Sequence, residues 1–446
     1  MDKKNIGSGW AGCLVALVLL TLLAGCGTVH GASNIRADSA PSGIENNPIP
    51  EESHSSGVYE WSVDSAFAEN SGTRFGIQTA EDGQGIYYTS GQTVNYYDPE
   101  LEISTVVCSQ QGCLHQDASC VAWQGDVHSF GVYRDMWYAL LEEEDGSICV
   151  RRTDPSDNSR EVMFQYSLPE DQSHFVVGDL YFSYGCAYFS VLTYTEHNEQ
   201  DWQYHAANAA ELVRLDLESG QNQRISFEDR NGVTFVGGNE TTFAVICTYL
   251  DTETEPLLSK EEFYAQNPDV EEQYEGEAYL AYYSKYTTID HRVSELRVYD
   301  IASGTYEVLT SGTDLVASER GKMSYGNVIV YDLLNHDTGE SALWLYDLDT
   351  TQNVCIAADN WIVEYVILDG KVIYNVSQLD GNYTFYCVDI YTGAVTQIEN
   401  QGRTDFMVFP VMGETVDYVI ASDGSSREIL RKTEYYDDDY SAVKGF

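Results

Sequence analysis

The chain has 446 residues, with 23 Lys and Arg against 71 Asp and Glu, and a formal net charge of −48. A field of that sign repels phosphate backbones and anionic headgroups within a Debye length, so nucleic acid is excluded as a partner. With 34 Tyr, 36 Gly and 9 Pro, the composition fits short aromatic-rich strands joined by tight turns, and the length suits one large repeat fold as well as several domains.

Lys3 and Lys4 precede an apolar run over residues 11–23 (AGCLVALVLLTLL), which ends in Leu23-Ala24-Gly25-Cys26. A positive start, an apolar stretch shorter than the ~20 residues of a spanning helix, and small residues before a cut describe an export signal. The last four residues resemble the lipobox of bacterial lipoproteins. That resemblance implies removal of residues 1–25, Cys13 among them, and lipidation of Cys26 on sulfur as the mature N-terminus. Residues 26–57 are rich in Gly, Ser, Asn and Pro and lack apolar periodicity, so they read as a flexible tether. About thirty such residues reach on the order of 30 Å. The expected location is extracytoplasmic, on the cell membrane through the lipid anchor.

From residue 58 to 436 one pattern recurs: an apolar strand running into an Asp, a turn, and a second strand. It is clearest in LRVYDIASGT (296–305) and returns in LVRLDLESG (212–220), LWLYDLDTT (343–351) and FYCVDIYTG (385–393), with weaker copies at 94–102 and 149–157. One complete unit is legible between residues 361 and 398, where strands at 362–366, 371–377, 383–389 and 394–398 alternate with Asp-Gly, Asp-Gly and Thr-Gly turns. Repeated four-stranded antiparallel units of roughly 40 residues are the signature of a β-propeller. Asp98, Asp154, Asp216, Asp300, Asp347 and Asp389 mark third strands and give six units. A seventh, with strands at 406–409, 415–421 and 428–433, lacks a fourth strand before the acidic tail 437–446. The expected fold is all-β: seven four-stranded blades, closed by an N-terminal strand at 58–63 (VYEWSV) pairing into the last blade, which would remove exposed sheet edges. Six and eight blades are the alternatives.

The marker spacing stretches in three places, around residues 108–120, 195–210 and 251–286. In the last, Ser259 to Glu262 form a capping box flanked by Leu258 and Phe263 as a hydrophobic staple, which predicts a helix up to Asn267-Pro268. Asp269 and Glu272 repeat the capping arrangement and predict a second helix. Counting strands, the connection between blades and the loop between second and third strands leave the same end of a blade. All three additions therefore belong to one face, the candidate ligand-binding face.

Residues 108–120 read Cys-x4-Cys-x-His-x4-Cys. Cys108, Cys113, His115 and Cys120 make a Cys₃His set suited to tetrahedral zinc, and Gly112 permits a sharp turn between the first two ligands. Four protein ligands close the shell and imply a structural ion. The alternative is a disulfide among Cys108, Cys113 and Cys120, which an oxidising compartment favours. Cys149, Cys186, Cys247, Cys355 and Cys387 lie in apolar strand runs and read as buried thiols. The chain lacks G-x-S-x-G, H-E-x-x-H and P-loop motifs, so no catalytic residue is assigned.

Lipobox, tether, repeats and the Cys/His string after a YYD strand together resemble the exported propeller lipoproteins of Gram-positive bacteria, related to TolB-like and YWTD-like propellers. The resemblance implies fold and location. The expected function is a membrane-tethered scaffold that binds a protein or glycan ligand at the insertion-bearing face. The alternative is an extracytoplasmic carbohydrate-active hydrolase or lyase on the same scaffold.

Overall fold

The computed structural model describes residues 70–72, 77–79 and 85–445, less several short stretches of which 195–208 and 399–410 are the longest. Seven antiparallel sheets form a ring of seven blades. Blade 1 holds Ile77–Thr79, Ile86–Ser90, Thr93–Asp98 and Ile103–Val106, and blade 2 holds Val127–Tyr133, Met136–Glu142, Ile148–Asp154 and Ser159–Tyr166. Blade 6 matches the unit legible in the sequence, with Ile362–Leu368, Lys371–Ser377, Tyr383–Asp389 and Val395–Ile398. In each blade the strands pair in chain order from the first, inner one to the fourth, outer one, and in blade 3 one further strand adds at the inner edge.

Each of the six marker aspartates is the last residue of a third strand. The reason is local. Oδ1 of Asp216 accepts from the backbone N–H groups of Glu218 and Ser219, that of Asp300 from Ser303, and that of Asp389 from Tyr391 and Thr392. Each carboxylate thus satisfies turn donors that no strand can reach. Four residues after each marker the backbone has positive φ, at Glu102, Asn158, Gly220, Gly304, Thr351 and Gly393. The repeated unit is therefore an Asp-capped turn with one left-handed residue.

Buried clusters join neighbouring blades. Tyr138, Leu140 and Phe164 of blade 2 pack with Phe182, Phe189 and Leu215 of blade 3. The junction of blades 1 and 2 is filled by Val94, Phe130, Val132 and Trp137, with Val107 and Val121 packed against them.

Ring closure differs from expectation. The inner strand of blade 1 lies against Val411–Glu414 of blade 7 on one side and Val127–Tyr133 on the other. The outer position of blade 7 is taken by Lys444–Gly445, paired with Arg427–Arg431, so the last blade is completed from the C-terminal side. The strand expected at 58–63 lies outside the described residues, as does the one at 406–409. The segment read as an acidic tail returns to the sheet because helix α3 over Lys432–Tyr436 turns the chain back and Tyr435 and Tyr440 are buried in the core of blades 6 and 7. Blades 7 and 1 are then joined side by side. Ile86, Tyr88 and Tyr97 pack on Tyr418, Ile420 and Ile429, while Glu100 accepts from Tyr418 Oη at 2.7 Å and pairs with Arg431. Lys444 Nζ lies 2.8 Å from Glu102 Oε1.

An unexpected strand, Asn70–Gly72, pairs antiparallel with Tyr181–Ser183 on the inner edge of blade 3. In blade 4 the insertion between Thr242–Leu250 and Arg292–Asp300 carries two helices. The first, α1 over Lys260–Gln266, has the expected capping box between Ser259 and Glu262. The second, α2, spans Glu277–Lys285 behind Gly276. Asp269 instead sits in the turn after Pro268. Phe263, Tyr279, Tyr282 and Tyr286 form an aromatic core within the insertion, and the ring of His291 stacks on Tyr286 at 3.9 Å.

Candidate functional site

Residues 107–126 connect the outer strand of blade 1 to the inner strand of blade 2. Within this loop Sγ of Cys108, Cys113 and Cys120 and one ring nitrogen of His115 all lie within 4.8 Å of one another. It is the one such cluster among the described residues. Zinc bound at about 2.3 Å by each sulfur would set sulfurs about 3.8 Å apart in a tetrahedron, so the donors stand at nearly the required separation.

The backbone shapes the pocket. Gly112 has φ 74°, the sharp turn expected between the first two ligands, and His115 is itself left-handed at φ 55°. Asp117 caps the final turn by accepting from the N–H and hydroxyl of Ser119, and the N–H of Cys120 bonds Asp117 O at 3.0 Å. His115 Nδ1 lies 3.1 Å from Cys120 Sγ. The backbone N–H of His115 points at Cys113 and holds its thiol below the ordinary range, helped by the Cys120 and Cys108 side chains. Burial pushes the Cys120 thiol up to about 11, so a cation beside it is what would keep it ionised. All eight cysteines of the described residues are free, so the disulfide alternative is not formed here.

The loop is anchored on both sides. On blade 1, Val94 N–H bonds Ala122 O at 2.8 Å, Val107 N–H bonds Val94 O at 3.1 Å, and Trp123 Nε1 donates to Gln92 Oε1 at 3.0 Å. On blade 2, one nitrogen of Arg160 donates to Cys120 O at 2.7 Å and Trp123 O at 2.8 Å, while Asn158 Nδ2 donates to Ala118 O and Ser119 O, each at 3.3 Å. Asn158 stands in the turn between third and fourth strands, at the opposite end of blade 2 from where the loop enters. The loop therefore runs along the flank of the ring between two blades. Its hold by Arg160 and Asn158 had no local sequence signal, because both sit some 40 residues downstream in an ordinary strand turn.

The other expected positions are spread out. Cys26 lies outside the described residues, as do 195–208, which leave blade 3 between its second and third strands. The helical insertion leaves blade 4 at the equivalent point. Cys149, Cys186, Cys247 and Cys355 are buried and Cys387 half-buried, as read from their strands; burial raises the thiols of Cys186 and Cys387.

The arrangement defines a seven-bladed propeller with a Cys₃His loop wedged between its first two blades. No protein-family model and no curated protein matches the chain. Among solved structures it is similar to an oligogalacturonate lyase in complex with manganese, at 10% identity and a TM-score of 0.46 over 82% of this chain and 92% of that one. It is also similar to the β-propeller domain of the Trilobed protease from Pyrococcus furiosus, at 11% identity and a TM-score of 0.41 over 86% and 99%. TolB from Acinetobacter baumannii matches at 10% identity and a TM-score of 0.34, over 75% and 64%. These likenesses concern the propeller fold.

Proposed function

We propose that the chain is an exported lipoprotein, held at the outer side of a cell membrane through Cys26, whose propeller is a scaffold for binding a protein or glycan ligand. The observation that carries this reading is the ordered run of Lys3, Lys4, the apolar segment 11–23 and the Leu23 to Cys26 box, followed by a polar tether and a single repeat fold. The ligand face is the strand end that carries residues 195–208 and the helical insertion. The Cys/His loop belongs to the scaffold, as a metal centre holding zinc, and not to the ligand site.

The test is binding of the full chain, in detergent, to isolated cell envelopes and to glycan arrays, beside a variant in which residues 255–286 are replaced by a short Gly-Ser linker. Loss of binding in the variant is expected. Equal binding by both proteins removes the insertion from the reading, and no binding by either removes the scaffold proposal.

A further inference from the structure

Blade 1 is a slight blade, with an inner strand of three residues and an outer strand of four. Residues 108–119 of the loop that leaves it have no helix or strand and are half-buried or exposed, with Leu114 76% exposed, so apolar burial does little to order that stretch, whereas Val121 and Ala122 beyond it pack against the blades. A connection of this length without secondary structure needs another source of order. The four donors supply one by their position along the loop. Cys108 directly follows Val107, which is bonded to blade 1, and the carbonyl of Cys120 is the atom that Arg160 holds on blade 2.

We propose that one Zn²⁺ ion bound by Cys108, Cys113, His115 and Cys120 clamps blade 1 to blade 2, so that metal binding sets the stability of that junction specifically. This rests on the reading of the cluster as a metal centre and extends it from occupancy to mechanical role. The ion choice follows from the donors. Three thiolates and an imidazole in a tetrahedral shell suit zinc, and no ligand position is left for substrate. Cys108, Cys113 and His115 are half-buried, which gives an ion a route in from solvent. On ligation the three thiols release three protons to water and no electron moves. The bound site carries one net negative charge, and Arg160 beside Cys120 is placed to offset it. A cross-link of this kind, closing a loop whose two ends belong to different blades, restricts the opening of both.

The test uses the full chain purified in detergent without chelator. Metal analysis should find about one zinc per chain. Replacing zinc by Co²⁺ should give the absorption of a tetrahedral thiolate site, lost in Cys113→Ser. Hydrogen exchange is then followed in the same preparation before stripping with chelator, after it, and after zinc is restored. Amides of residues 93–107 and 148–164 should exchange at least tenfold faster without metal and recover with zinc, while those of 328–347 and 371–389 stay unchanged. Stripping the native protein avoids dependence on a variant that fails to fold. Stoichiometric zinc with unchanged exchange, or with equal acceleration in every blade, overturns the clamp and leaves the metal centre standing. Absence of zinc together with a mass deficit for an S–S bond overturns the metal centre itself. Neither result bears on the ligand-binding proposal.

Discussion

At the scale of single residues, the recurrence visible in the sequence is a hydrogen-bonding device. Asp347 is fully buried and accepts from the N–H groups of Asp349 and Thr350 at 2.9 and 3.1 Å. Removing that acceptor strands two turn donors, so Asp347→Ala should destabilise the protein by about 1–3 kcal/mol, read from the denaturant midpoint. The left-handed position four residues later is filled by Gly in three blades, but by the exposed Thr351 in blade 5 at φ 59°. A β-branched residue is strained there, so Thr351→Gly should raise stability by about 0.5–1 kcal/mol despite the added freedom of the unfolded chain. The Asp was legible because its chemistry is the same in every copy. The left-handed residue was legible only where it is Gly, since Glu102, Asn158 and Thr351 carry no such mark.

Asp332, in the second strand of blade 5, is a residue the sequence did not distinguish from the many exposed acids. Burial pushes its carboxyl up to about 7, opposed by the hydroxyl of Tyr365, which donates to Oδ1 at 3.0 Å. In the folded state it holds its proton more tightly than the ~3.9 of an unfolded Asp, so the parent protein loses stability as pH rises between those values. Asp332→Asn keeps an acceptor for Tyr365 and removes the ionisation. Its stability relative to the parent should therefore rise on the order of 2 kcal/mol between pH 5 and pH 8, measured by denaturant titration at each pH. Equal slopes for the two proteins would contradict this account.

At the scale of elements, apolar alternation and turn residues placed blade 6 within a few residues of its observed strands. Sequence reading failed at short or weakly patterned pieces. Lys444–Gly445 is two residues long and has no apolar alternation, so nothing local marked it as the outer strand of blade 7. Its place is fixed by tertiary packing of Tyr435 and Tyr440 and by the pairing of Lys444 with Glu102. The helix α1 was legible because its capping box is local chemistry, whereas α2 begins behind Gly276 with no side-chain cap. The Cys/His donors were legible by residue type and spacing. Their setting between two blades was not, because it depends on Arg160 and Asn158, brought in by the fold.

Charged side chains also hold the junction of blades 7 and 1. The Tyr418 hydroxyl, and after it Arg431, holds the Glu100 carboxyl below the ordinary range. A carboxylate with a depressed pKa contributes fully above the unfolded value of ~4.3, and the contribution is lost as pH falls through the folded one. Glu100→Gln should therefore be less stable than the parent at pH 7, with the gap closing below about pH 4. The charge pairs are exposed, so the gap should also narrow in high salt. Thermal unfolding across pH and salt checks both trends.

At the scale of the whole molecule, seven blades close into a ring whose ends meet through side chains, with blade 1 held by ion pairs on one flank and by the Cys₃His loop on the other. In the proposed role, the strand end of blade 4 that carries the helical insertion would face away from the membrane. That use requires the anchor, and the charge of −48 argues against adhesion to anionic lipid by the folded body itself. The measurement that bears most directly on the proposed role is intact mass and N-terminal peptide analysis of the protein extracted from the membranes of an expressing bacterium. The expected result is a chain that begins at a diacylglyceryl-modified Cys26 and partitions with the membrane, and loss of both properties in Cys26→Ala. An unmodified Cys26 in a protein recovered entirely from the soluble fraction would contradict it.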